Sequence, residues 1–235
     1  MTENDKNKSI DYILSQGLET VPTARMRMLE LIKSLGLRFI FWDTAYSMIF
    51  TAVTLVGALV VLAWSPEVYS HSAAAAISPL MFLMITLFAE TAERAGGLYE
   101  LKQTCYYTAT QITSLRAMCY SILGFVFSIL VATISATETE LFWSLLPLCL
   151  CVFFICACLH VSVMRWIKHK WAIATVSSVW AFLNLTLPIA FAEKWEAFLR
   201  SVPSAAVYIV AVLCAATLVW QIRYMFMEEK NYVVA

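Results

Sequence analysis

Cys149, Cys151, Cys156, Cys158 and His160 fall within one apolar stretch, and these are the side chains whose chemistry is easiest to name. On an α-helix Cys149, Cys156 and His160 share one stripe, while Cys151 and Cys158 share another. Thiolate and imidazole ligands suit Cu(I) or Zn. The plainer alternative is that cysteine packs here as a small apolar side chain, with His160 near enough to its segment's end to reach water. A metal site would need donors from other segments, and only Cys119 and Cys214 are obvious. No metal or cofactor is therefore expected. His71, His160 and His169 are the three histidines, and none sits in a His-Glu-x-x-His or Gly-x-Ser-x-Gly pattern. No catalytic residues and no enzymatic activity are expected. Asp43 stands at the edge of an apolar run, and Asn184 lies inside one, where hydrogen bonding to a neighbouring helix is its expected role.

The elements that must position these residues follow from composition. Of 235 residues, 61% are hydrophobic and 14% charged, against roughly 45–50% and about 25% in a soluble domain. Such a chain cannot bury its apolar surface as a globule. With a net charge of zero, no nucleic-acid partner is expected. Six nearly charge-free runs, at 45–64, 72–89, 117–134, 141–164, 172–192 and 203–222, are each long enough for a membrane span. The expected fold is all-α: a polytopic membrane protein of six transmembrane helices with an amphipathic interfacial helix before them. Pro79, Pro147 and Pro188 would each free a backbone carbonyl inside a span.

Charge gives the orientation. Lys6, Lys8, Arg25, Arg27, Lys33, Arg38, Arg94, Lys102, Arg116, Arg165, Lys168, Lys170, Arg223 and Lys230 fall on one predicted side. Only Lys194 and Arg200 fall on the other. The alternation predicts a multi-pass protein of the cell membrane with both termini cytoplasmic. Trp42, Trp64, Trp143, Trp166, Trp171 and Trp220 lie near span ends, where amphipathic rings settle. Residues 1–20 are polar, so no cleavable signal peptide is expected. Cys105 is the one cysteine clearly outside the spans, on the reducing side, which argues against a disulfide framework.

The chain thus divides into a cytoplasmic segment 1–44, a transmembrane domain 45–226 and a tail 227–235. Within 24–39, Met28, Leu31, Ile32, Leu35 and Phe39 recur at helical spacing, with Arg27, Glu30, Ser34 and Arg38 opposite. This helix either lies along the membrane surface, chiefly through Arg27, Met28, Leu31, Leu35 and Arg38, or extends the first span. The connection 90–116 is too long for a turn and too short for a domain. A short helix there would set Leu98 and Leu101 on one side and Glu100, Lys102 and Gln103 elsewhere.

Glu93-Arg94, Gly96-Gly97, Leu98-Tyr99-Glu100-Leu101 and then Gln111-Ile112 to Arg116 form a sequence that resembles the cytoplasmic coupling segment of ABC-2 type transporter permeases. The six spans, the helix before the first and this segment between the second and third are similar to that family's architecture. The resemblance implies a permease-like exporter subunit that moves a hydrophobic or amphiphilic substrate. It implies a separate cytoplasmic ATPase docking on Glu93, Arg94, Leu98, Glu100 and Leu101, and a homo- or heterodimer in the lipid bilayer. No Gly-x-x-x-x-Gly-Lys-Ser/Thr occurs in this chain to bind nucleotide. The alternative is a non-transporting membrane regulator whose N-terminus captures a soluble partner. Ile10, Ile13, Leu14 and Leu18 could form its apolar face, in a segment that resembles the cytoplasmic heads of membrane-bound anti-sigma factors.

Overall fold

The computed structural model describes residues 45–64, 69–95, 109–136, 138–166 and 172–227. Among these there is no strand, and the regular structure is helical. The helices are α1 (Ala45–Ala63), α2 (Ser70–Ile77), α3 (Leu80–Ala95), α4 (Ala109–Ser135), α5 (Thr139–Trp166), α6 (Ala172–Ser201) and α7 (Ser204–Met227). Four stretches, Ser70–Ala89, Thr113–Ser135, Thr139–Trp166 and Ser204–Met225, are long and apolar enough to cross a membrane. This is compatible with a multi-pass membrane protein.

Helix ends depart from the apolar runs by physically sensible margins. Helix α4 starts at Ala109 rather than at the first charge-free residue, since Gln111 and Arg116 are good helix formers. Helix α6 carries on past the apolar run to Ser201, taking Glu193, Lys194, Glu196 and Arg200 onto its last turns. The predicted second span is broken at Ser78-Pro79, which separates α2 from α3. Proline lacks the N–H that would reach the Ala75 carbonyl. The Ser78 hydroxyl donates to that carbonyl at 3.4 Å instead. The Ser78 carbonyl in turn accepts from Ser128 Oγ of α4 at 3.3 Å. Helix α5, by contrast, runs unbroken through Pro147.

Helix α4 shows how the bundle chooses its faces. Ala117, Ser121, Gly124, Ser128 and Ala132 form a buried row of small residues. Ile122, Phe125, Val126, Leu130 and Ile134 form an exposed row of large ones. Lipid tails are as apolar as leucine, so helices in a bilayer associate by close approach and polar contacts rather than by hiding apolar surface from water. A Cβ on Gly124 would lie 2.5 Å from Phe153 and 3.1 Å from Phe82 Cβ. The missing side chain therefore makes room where α3, α4 and α5 meet. Phe82 and Phe153 pack edge to face there, with ring centroids 6.0 Å apart.

Helix α5 is the bundle's most shared element. Its Leu145 and Cys149 join Phe127, Val131 and Ala132 of α4, Ala74 of α2 and Leu62 of α1 in one core. On its α7 side, polar contacts repeat turn by turn. Cys158 Sγ donates to the Cys214 carbonyl at 3.0 Å, and Gln221 Nε2 donates to Ser162 Oγ at 2.9 Å. Arg165 lies 4.1 Å from the Tyr224 ring centroid.

Candidate functional site

The two cysteine stripes of α5 part company in the bundle. Cys149, Cys156 and His160 are fully buried, with the His160 ring against Phe82 at 5.3 Å. Cys158, and with it Cys151, belongs to the side near Cys214. His160 was expected to reach water, but Phe82 of α3 closes over it, and neither ring nitrogen has a hydrogen-bond partner. Cys119, Cys149, Cys151, Cys156, Cys158 and Cys214 are free thiols. Among the described residues no three His, Cys, Asp or Glu side chains converge as metal ligands. Asn184 also differs from expectation. Its Nδ2 donates to the Trp180 carbonyl one turn back at 3.0 Å, a local bond that needs no neighbouring helix.

Of the expected docking residues, two lie among the described residues. Glu93 and Arg94 fall on the last turn of α3, while Leu98, Glu100 and Leu101 lie outside the described residues. Arg27, Met28, Leu31, Leu35 and Arg38 also lie outside them, as do Ile10, Ile13, Leu14 and Leu18. The helices flanking the connection do meet. A small pocket there is lined by Thr86 and Ala89 of α3, Thr113, Arg116, Ala117 and Tyr120 of α4, and Met164 of α5. Arg116 is buried in its wall.

A polar cluster lies at the opposite end of α5. It joins the start of α2, the second turn of α5 and the end of α6. Tyr69, at the N-cap of α2, makes no side-chain capping bond. Glu196 supplies the cap from 125 positions further along the chain. Its Oε1 accepts the His71 main-chain N–H at 3.1 Å, and its Oε2 accepts that of Ser72 at 2.9 Å. A carboxylate suits the positive end of a helix, and these two N–H groups would otherwise lack partners. Glu196 also contacts His71 Nδ1 at 3.0 Å and accepts from Arg200 Nε at 3.2 Å. Burial alone would push the Glu196 carboxyl up. The amide bonds from Ser72 and His71, with the histidine beside it, outweigh burial and hold it below its usual value.

An ionised carboxylate can only accept, so the proton on His71 sits at Nδ1 and points to Glu196. In the neutral ring the lone pair is then on Nε2. That nitrogen faces Ser144 Oγ at 3.4 Å. Ser144 is exposed, whereas His71 and Glu196 are buried. The cluster thus presents one reachable hydroxyl on an oriented imidazole. Sequence reasoning passed over Ser144 and Glu196, which are 73 and 125 positions from His71. The one local signal was the Glu196/Arg200 pair at helical spacing, among the few charges on the predicted outer side.

No family model, curated protein or solved structure matches the chain.

Proposed function

We propose that the chain is a six-span protein of the cell membrane with both termini cytoplasmic, and a permease-like subunit of an ABC-2 type exporter. In this reading α1 and α6 cross the membrane along with the four longer apolar stretches. The subunit joins a second membrane half, of its own or another kind. A separate cytoplasmic ATPase binds the 90–116 connection and supplies the energy. The substrate is hydrophobic or amphiphilic, in keeping with the scarcity of charge inside the spans.

The supporting observation is the arrangement of helix ends. The end of α3, the start of α4 and the end of α5 share the pocket around Arg116 and Met164. The starts of α2 and α5 and the end of α6 share the Glu196 cluster. Basic residues predicted to be cytoplasmic, Arg116 and Arg165, belong to the first group, as the inside rule requires. Helices α3 and α4 flank the connection, and a small pocket lies between them at that end. A push on the connection would therefore reach the bundle through this pair.

Deleting residues 93–104 tests the reading. The full-length chain should co-purify with an ATPase bearing Walker motifs, and the deletion should lose it while keeping its place in the membrane. Retention of every ATPase partner by the deleted chain would end the proposal.

A further inference from the structure

We propose that Ser144, His71 and Glu196 form an acyl-transfer site at one end of the bundle, acting on the carboxylic ester of an amphiphile. The roles follow from geometry. Ser144 is the nucleophile, because it is the exposed hydroxyl facing His71 Nε2 at 3.4 Å. His71 is the base. Glu196 is a positioning residue, which fixes the ring through Nδ1 at 3.0 Å and through the same residue's main-chain N–H at 3.1 Å. A nucleophile on a base, with the base oriented by a third group, is the arrangement that activates a serine. The Ser144–His71 contact is long for a hydrogen bond, as such contacts commonly are before substrate binds. Arg200, half exposed, donates to Glu196 at 3.2 Å and so adds a cation to the cluster.

The chemistry balances with water alone. Ser144 Oγ bonds to the ester carbonyl carbon as its proton passes to Nε2. The tetrahedral adduct collapses, the carbon–alkoxy bond breaks, and the leaving alcohol takes the proton from Nε2. Water then attacks the acyl-serine and gives its proton to Nε2. The second adduct collapses as the carbon–Oγ bond breaks, Oγ takes the proton back from Nε2, and the carboxylic acid departs.

The substrate class comes from the neighbours. Trp143 is exposed beside Ser144 and packs edge to face on Phe142, with ring centroids 5.6 Å apart. Exposed tryptophan near a span end belongs at the headgroup layer, where the ester of a lipid also lies. This substrate class rests on the span reading proposed above; the assignment of the three residues does not.

The full-length protein, purified and reconstituted in phosphatidylcholine vesicles, is treated with a fluorophosphonate probe. Labelling should map to Ser144 and run at least about tenfold faster than in Ser144→Ala, whose exposed position leaves the thermal unfolding profile unchanged. The labelling rate should rise with pH through one ionisation, that of His71 facing Glu196 and Arg200 of α6 and Ser70 of its own helix. Glu196→Gln should displace that ionisation and also slow labelling at pH values where the His71 ring is neutral, which loss of the helix cap alone would not do. Absence of Ser144-dependent labelling in protein with an unaltered unfolding profile overturns the site. In parallel, vesicles carrying a fluorogenic diacyl lipid are compared with soluble p-nitrophenyl acetate. Faster Ser144-dependent turnover of the lipid ester supports the amphiphile, and turnover of the acetate alone overturns that class.

Discussion

Glu196 carries the start of one helix and the ring of another residue on a single carboxylate. Replacing it with alanine removes the cap of α2 and leaves the buried His71 without its acceptor. A loss of about 1–3 kcal/mol is expected, read as earlier unfolding of the detergent-solubilised protein. The sign of the pH effect follows from its lowered folded-state value. The carboxylate contributes fully above its usual 4.5 and loses that contribution as pH falls from there through the folded-state value. Acid unfolding curves should therefore steepen below about 4.5 for the native chain and flatten in that window for Glu196→Gln. His160 is the opposite case, a buried ring with two nitrogens that find no acceptor or donor. His160→Phe keeps the edge-to-face contact with Phe82 and removes both polar atoms. It should raise stability by about 1 kcal/mol in the same assay, and a lower stability would mean that the imidazole has an occupant. Neither environment was legible in the sequence. A histidine at position 160 reads as near a helix end, and only the approach of Phe82 from α3 closes it off. Ser144 and Glu196 become chemically interesting only when three helix ends meet.

At the scale of elements, α4 sets small residues where its neighbours approach most closely. The row Gly124, Ser128 and Ala132 lets α4 approach α2, α3 and α5, and its opposite face carries the large apolar side chains. Gly124→Ala would press into Phe153, which is itself fixed against Phe82, so the ring cannot swing aside cheaply. The substitution should cost about 1–3 kcal/mol, measured as earlier unfolding, although it raises helix propensity. Helix existence was readable from the apolar runs, because length and lack of charge are sufficient for it. The buried faces were less so, since both sides of α4 are apolar and periodicity of hydrophobicity carries little information there. The break at Ser78-Pro79 was half legible. Pro79 announced a freed carbonyl, but the Ser78 hydroxyl that takes it up, and the Ser128 contact beyond, needed the fold.

For the molecule as a whole, the proposal puts fourteen basic residues on one face and two on the other. A membrane-impermeant maleimide applied to intact cells tests this directly. In a cysteine-free background, Ser201→Cys should react from outside, and Met227→Cys should react only after the membrane is opened. Labelling of both in intact cells would remove the topology. The helical character of the described residues was legible because long charge-free runs suit helices, which satisfy their own backbone in lipid. The end-to-end grouping of side chains was legible only as charge bias. Which residues of those ends touch is decided by packing around α5, and α5 touches more of the bundle than any pattern within its own sequence announces.

The cap on α2 has a consequence in time. A chain is made from its N-terminus, at about 5–20 residues per second. The carboxylate lies 125 residues after the amides that it serves, which is a delay of roughly 6–25 s. Until then the start of α2 must wait with water or headgroups as its partners. Biogenesis therefore has a natural late step, the arrival of α6, and a chain halted before it is a candidate for membrane quality control.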